Sequence, residues 1–255
     1  MISKAQISFI KSIHQKKFRQ EYQVFLAEGD KLVAEIIASA LHIDRIYCTA
    51  SKEQWLSTLL SKVSKNIEIG LVSDAEMERI SALKTPSEVL AIVQMPSIKS
   101  ENTEKIDYSK QMTLVLDDIK DPGNLGTIIR IADWFGFNNI ICSENCVDLY
   151  NPKVIQATMG SITRVGVTTH NLIDFFSKNQ QIPVYGALLN GTNIYEHKFQ
   201  VGGFILMGSE SQGISTALLP YITNPITIPS FGGAESLNVA IATAVICSEY
   251  KRAAF

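Results

Sequence analysis

From Met112 onward, short apolar runs alternate with helical stretches, and no other feature restricts the fold as strongly. Residues 113–116, 139–142, 165–169, 184–189, 204–207 and 226–228 read as strands, being short, apolar and bounded by turn residues. Between them, residues 124–135, 152–159, 172–178 and 212–219 read as helices, the first with Asn124 in a capping position and Gly136 as its stop. Residues 237–253 close the chain as a helix that is apolar almost all round, with the short polar side chains of Ser236 and Asn238 at its start. Strand–helix alternation of this kind predicts an α/β domain on a mainly parallel sheet. Ligands of such sheets lie outside the carboxyl ends of the strands. The residues that look chemical, beginning at Asp118, Leu188, Gly208 and Pro229, all follow strands.

The first ninety-odd residues repeat the alternation on a smaller scale. One helix is expected over residues 4–20, with Ile7, Ile10 and Ile13 at helical spacing, then a strand at 22–26 and a helix at 31–40. A strand at 43–48, a helix at 52–60 and a strand at 67–72 follow. Ser73 and Glu76 form a capping-box pattern for a short helix ending near Ile80, and a strand at 88–94 closes the region. Residues 96–110 lose apolar periodicity and read as a linker. The expected organisation is therefore a small α/β domain over 1–95, a linker over 96–110 and a larger α/β domain over 111–255.

Composition narrows the function classes. Of the 255 residues, 46% are hydrophobic, enough for a substantial core. The start, MISKAQISFIKSIHQKK, lacks the apolar run of a secretory signal, and no stretch is long and apolar enough to span a bilayer, so a cytoplasmic protein with no membrane contact is expected. The four cysteines and four histidines have no metal-ligand or redox spacing, so no metal site is expected and the thiols read as free. Net charge is −2, which gives no global basic field. The first twenty residues nevertheless hold Lys4, Lys11, Lys16, Lys17 and Arg19, with no acid before Glu21. A local basic patch of this kind binds phosphates even on an acidic protein; the plain alternative is a solvated helix face.

Three stretches carry candidate chemistry. In LDDIKDPGNLGTIIRIADWFG, Arg130 stands in a helix otherwise lined by Ile128, Ile129, Ile131, Ala132, Trp134 and Phe135, so it needs a partner or a route to water. The DPGN turn before it presents backbone N–H groups suited to an anion. In FILMGSESQGIS, Gly208 lets a ligand approach the backbone and Glu210 places a carboxylate just past a strand. The third is IPSFGGAESLNV, with Ser236 and Asn238. None contains GxGxxG or a P-loop, which makes a nicotinamide oxidoreductase a poor reading.

In this order and spacing, the three stretches resemble the signature motifs of the SpoU/TrmH family of RNA 2′-O-ribose methyltransferases, within the SPOUT superfamily. Motif one is similar to DPGNLGTIIRIADWFG, motif two to MGSESQG and motif three to IPSFGGAESLNVAIA. The segment Phe25 to Gly29 and the Thr85-Pro86 pair resemble the substrate-binding domain that precedes the family's catalytic domain. Two departures stand out: Ala240, where SLNVS is common, and an acidic loop through Glu235.

The resemblance implies a SPOUT domain with a parallel sheet and a C-terminal trefoil knot, after a smaller N-terminal RNA-binding domain. It implies methyl transfer from S-adenosylmethionine to a ribose 2′-hydroxyl of RNA, ribosomal RNA being favoured because the family's tRNA enzymes often lack the first domain. The alternatives are a tRNA 2′-O-methyltransferase and a non-catalytic RNA-binding relative. The implied catalytic residues are Arg130, Asn124, Glu210, Ser236 and Asn238. The implied cofactor contacts are Leu188, Gly208, Ile228, Leu237 and Asn238. Lys11, Lys16, Lys17 and Arg19 are the candidate RNA contacts, and a homodimer through the C-terminal domain is implied.

Overall fold

The computed structural model describes residues 2–63, 66–96 and 106–253. The elements run α1 (Lys4–Ser12), α2 (Lys16–Tyr22), β1 (Val24–Glu28), α3 (Asp30–Ala38), β2 (Ile43–Cys48), α4 (Glu53–Leu60), β3 (Glu68–Leu71), α5 (Asp74–Ile80) and β4 (Val89–Gln94). They continue with β5 (Met112–Leu116), α6 (Pro122–Trp134), β6 (Asn139–Ser143), α7 (Pro152–Thr158), β7 (Gly166–His170), α8 (Leu172–Lys178), β8 (Val184–Asn193), β9 (Gly203–Met207), β10 (Asn224–Thr227) and α9 (Val239–Ala253). The chain forms two compact units, Met1–Lys99 with Asp148–Thr163, and Ser100–Val147 with Arg164–Phe255. Residues 97–105, most of the expected linker, lie outside the described residues. Among the described residues no helix is long and apolar enough to cross a membrane.

The first unit is built on a sheet of order β1-β4-β2-β3, in which β4 runs antiparallel to both neighbours and β2 parallel to β3. Side-chain alternation along β1 divides two cores. Phe25 and Ala27 face Val33, Ile36 and Ile155, whereas Val24 and Leu26 face Ile7, Ile10 and Met77. Helix α7 therefore serves this unit, because its Ile155 fills the first core and Tyr150 just before it packs on Phe25.

The single helix expected over residues 4–20 is two helices. Ile13 ends α1, and the buried Arg19 donates to the carbonyls of Ile13 (3.2 Å) and His14 (2.6 Å), satisfying acceptors that a continuous helix would use itself. Its Nη2 pairs with Asp148 at 2.6 Å, and its Nε is buried without a hydrogen-bond partner among the described residues. Arg19 is 2% exposed, so its place among the RNA contacts is corrected: its guanidinium is committed inside the first unit. The strand expected from Tyr22 starts at Val24, since Gln23 caps α2 in the left-handed region at φ 54°. The capping box of Ser73 and Glu76 is present as read.

The second unit holds a wholly parallel sheet of order β10-β8-β9-β5-β6-β7. Its strands β5 and β9 are buried along their whole length, as a sheet covered on both faces requires. Pairing of β10 with β8 jumps register: Pro225 faces Gly186, but Ile226 faces Thr192, so residues 187–191 leave the ladder in one excursion. Gly191 makes this possible, because a Cβ there would fall 2.4 Å from the Ile226 backbone. The helix expected over 212–219 is absent. Ser209 and Gly213 exchange backbone hydrogen bonds (3.0 and 2.9 Å), Gly213 takes φ 67°, and only a short 3-10 turn, Thr216–Tyr221, follows.

Glu28, at the end of β1, gives a pH test of the first unit. It is 3% exposed and accepts from the Ser81 hydroxyl (2.5 Å) and the Ala82 amide (2.8 Å). Burial pushes its pKa above the ordinary 4.5, and the Ser81 and Ala82 hydrogen bonds and the nearby His14 only partly offset this. A carboxyl raised in the folded state contributes stability below its unfolded value, and that contribution is lost as pH rises through the folded value. Glu28→Gln is therefore expected to gain on the native protein progressively as pH rises above about 4.3. Urea midpoints for both proteins across a pH series measure this, and a gap independent of pH would contradict it.

Candidate active site

The exits of β5, β9 and β10 carry the three chemical stretches. At the β5 exit, Asp117 takes its amide to Met207 O (2.8 Å) and accepts the Ser215 amide on Oδ2 (2.8 Å), fixing this exit to that of β9. Asp118 follows in the left-handed region at φ 61°, its amide held by Ser143 Oγ at 2.9 Å. Helix α6 is then capped by Asp121, whose carboxylate accepts the Asn124 amide at 2.9 Å, with Pro122 at the first helical position. Asn124 was expected to be the cap. It sits inside the first turn instead, which frees its side-chain amide.

That amide is the junction of the site. Asn124 Nδ2 donates to Glu210, and Asn124 Oδ1 accepts from Asn238 Nδ2 at 2.9 Å. Asn238 in turn caps α9, its Oδ1 accepting the amides of Ala240 (3.0 Å) and Ile241 (3.3 Å). Because Oδ1 faces these two donors and Nδ2 faces Asn124, neither amide can be reversed without losing bonds. One side chain from each stretch thus meets in the relay Glu210–Asn124–Asn238.

The remaining candidates surround this relay unevenly. Gly208 and Ile228 are half-buried just past β9 and β10, Leu188 is half-buried in the excursion of β8 at residues 187–191, and Leu237 is 48% exposed beside the α9 cap. Gly208 is needed by its own loop, since a Cβ there would lie 2.0 Å from Gly213. Ser236 is exposed. Arg130 is exposed too, and no side chain among the described residues pairs with it. It lies about 9 Å along α6 from Asn124 and about 120° around it, so it points away from the relay. The helix face that holds it also carries Thr127 and Trp134, the latter 84% exposed. Lys11, Lys16 and Lys17 are exposed on the first unit, unlike Arg19.

Sequence reading missed Asp117, Asp121 and Ser143, which hold the loops without joining the relay. The aspartates had a usable signal: a DD doublet closing a strand, and an acid directly before Pro at a helix start. Ser143 had none, because its partner Asp118 is 25 residues away in sequence.

Comparison with known proteins gives the family. Residues 111–248 match the SpoU rRNA Methylase family model, and residues 4–91 match the MRM3-like substrate binding domain. A curated relative, the 23S rRNA (guanosine(2553)-2′-O)-methyltransferase RlmP of Bacillus subtilis, is 30% identical over 239 residues, covering 92% of each chain. A solved structure from Porphyromonas gingivalis, described as of the TrmH family, superposes with a TM-score of 0.83 at 37% identity over 99% of both chains. An rRNA methyltransferase from Sinorhizobium meliloti, solved with S-adenosylmethionine bound, superposes with a TM-score of 0.82 at 26% identity, covering 99% of this chain and 97% of its own. The match spans both units and every motif on which the relay is built: this chain belongs to the SpoU rRNA methylase family.

Proposed function

We propose that this protein transfers a methyl group from S-adenosylmethionine to a ribose 2′-hydroxyl of ribosomal RNA. The observation that carries the reading is the Glu210–Asn124–Asn238 relay, which brings all three chemical stretches to one end of a parallel sheet. The names of the relatives favour ribosomal RNA over transfer RNA, and the match of residues 4–91 to a substrate-binding domain agrees. A relative that binds RNA without methylating it would have no need to keep Arg130, Glu210, Ser236 and both asparagines, and all are present.

The residues at the strand ends suit the cofactor chemically. Leu188, Ile228 and Leu237 offer apolar surface for an adenine ring, and the half-buried Gly208 adds backbone without bulk. Glu210 sets a negative charge beside a positively charged ligand. S-adenosylmethionine would supply there an electrophilic methyl on a sulfonium centre. The chain's own task is to align the ribose oxygen and manage its proton. Guanidinium does not give up its proton at neutral pH, so Arg130 is not the base. It grips the neighbouring phosphate and stabilises charge growing on the 2′-oxygen, and a phosphate oxygen or water takes the proton. Asn124 and Asn238 orient the ribose, while Glu210 and Ser236 order the loops.

The outward direction of Arg130 supports a homodimer in which this arginine completes the site of the second copy. Trp134 at 84% exposure, Ile241 at 56% and Leu237 at 48% give the second unit an apolar surface for such a contact. The excursion of β8 around Ile226 supports a threaded C-terminal segment, the trefoil knot of the family. Free cysteines and the ribosomal substrate support a cytoplasmic location.

Three measurements test these roles. Arg130→Lys should lower the rate of methyl transfer about 10²-fold while leaving S-adenosylmethionine affinity unchanged, as single-turnover assays and calorimetry would record; equal losses in both would remove Arg130 from the chemistry. Asn124→Asp sets a second carboxylate against Glu210 and removes its donor, so cofactor binding should weaken about tenfold or more, read in the same calorimeter. Replacing Lys16 and Lys17 by Gln should flatten the salt dependence of RNA binding by about one to two log units per log unit of salt. An unchanged slope would take these lysines out of the interface.

A further inference from the structure

The proposed roles leave the base of the reacting nucleotide unheld: Arg130 takes the phosphate, and Asn124 and Asn238 orient the ribose. Proteins reach into RNA most readily where the strand is unpaired, and an unstacked base there needs a surface to lie on. The loop of motif three offers one. It runs between Ile228, just past β10, and Asn238, which caps α9 and joins the relay, so both of its ends are anchored at the site. Residues 230–237 are exposed throughout.

Within this loop Phe231 is 93% exposed, more than any other large hydrophobic side chain among the described residues. Both faces of its ring are therefore open to water, and only a second surface can recover the apolar area left there. Phe231 stands three residues past Ile228, so the two Cα atoms are at most about 11 Å apart.

The surroundings of Phe231 indicate what that second surface is. Ser230, Gly232, Gly233 and Ala234 beside it are small. The core of a protein–protein interface is a cluster of apolar side chains, whereas this is a single flat ring on a thin loop. Gly232 and Gly233 have open space where a Cβ would stand, and neither has the positive φ that favours glycine. The fold thus requires glycine at neither place, and the bare backbone leaves room for a flat partner over the ring.

Charge then selects the part of RNA that fits. Between Pro229 and Asn238 the only charged side chain is Glu235. The loop has no cation for a phosphate, and its carboxylate repels one. A nucleobase carries no net charge and presents a π-face, which an aromatic ring accepts whatever the base.

We propose that Phe231 stacks on the unpaired base of the reacting nucleotide and so steadies its ribose for attack. This rests on the reading of the protein as an RNA methyltransferase. Phe231 grips the base without choosing it, since stacking reads no hydrogen bonds, and it takes no part in holding S-adenosylmethionine.

The kinetic test uses the full-length protein, labelled S-adenosylmethionine and ribosomal RNA from cells that lack the gene. Phe231→Leu keeps apolar bulk but removes the ring. It should raise KM for RNA about tenfold and leave S-adenosylmethionine affinity unchanged. Phe231→Tyr and Phe231→Trp should restore the native KM, a rescue that apolar bulk alone would not give. A second arm needs no methyl transfer. An oligouridine carrying a single 2-aminopurine should lose fluorescence on the native protein, as the probe stacks, and keep it on Phe231→Leu. A native KM in Phe231→Leu with methyl transfer intact would overturn the proposal and leave the reaction standing. Quenching equal in the two proteins, or absent from both, would overturn it as well. So would a dimer that sedimentation shows to dissociate in Phe231→Leu, because Phe231 would then be a subunit contact. Quenching that depends on Phe231 in a protein that never methylates RNA would keep the base contact and reject the assigned reaction.

Discussion

The relay of Glu210, Asn124 and Asn238 is the interaction on which the site depends. Its bonds join residues 86 and 114 apart in sequence, so no local stretch can form it. It exists because β8, β9 and β10 run parallel to β5, so that the chain leaves each strand at the same end. The parallel arrangement is favoured by covering both faces of strands as apolar as Leu114, Leu116, Ile205 and Leu206. Apolar burial fixes where the exits lie, and the polar relay fixes how they meet. The relay also has a direction: the two roles of each amide leave one rotamer that satisfies its partners, which is how a partly exposed cluster keeps a defined shape.

Much of this was legible in the sequence, for a physical reason. Parallel strands covered on both faces show as continuous apolar runs, and each expected run recurs as a strand whose start lies within two residues of the expected one, although β8 runs on to Asn193, past the expected end at Leu189. The capping box at Ser73 is complete within four residues and needs no tertiary information. What escaped was set by distant partners. Arg19 reads as one cation in a basic row, because its partner Asp148 is 129 residues away. The same pairing, with the carbonyls of Ile13 and His14, divides what looks like one helix. The missing helix after Gly208 reflects a loop closed on itself by Ser209 and Gly213, a geometry that polar residues at helical spacing do not reveal.

Asn124 and Arg130 lie in the same motif and on the same helix, yet the fold treats them differently. Asn124 is tied at both ends of its amide, whereas Arg130 projects into solvent. In the role proposed for it, a guanidinium that reaches a phosphate and a developing alkoxide would gain nothing from an internal carboxylate, which would neutralise it and hold it away. An unpaired arginine on a solid helix is costly to nothing in the monomer and remains available to a substrate. Its neighbour Trp134 argues in the same direction: at 84% exposure, an indole on this face is stable in water only at the expense of apolar surface that a macromolecular contact would recover. The helix thus separates two tasks by face, one side holding the loops together and the other presenting charge and apolar area outward.

The hydrogen bonding between residues 116–120 and 143–147 follows from the same division of labour. Motif one must leave β5, turn through Asp118 in a left-handed conformation and enter α6 at a fixed angle, all within five residues. Local hydrogen bonding cannot hold so sharp a path, so the neighbouring strand's exit turn holds it from the side. The Asp118 amide rests on Ser143 Oγ, the Val147 amide on Ile119 O and Lys120 Nζ on Asn145 O, so the path of motif one into α6, and with it the placement of Asn124, is set by residues that lie outside the motif.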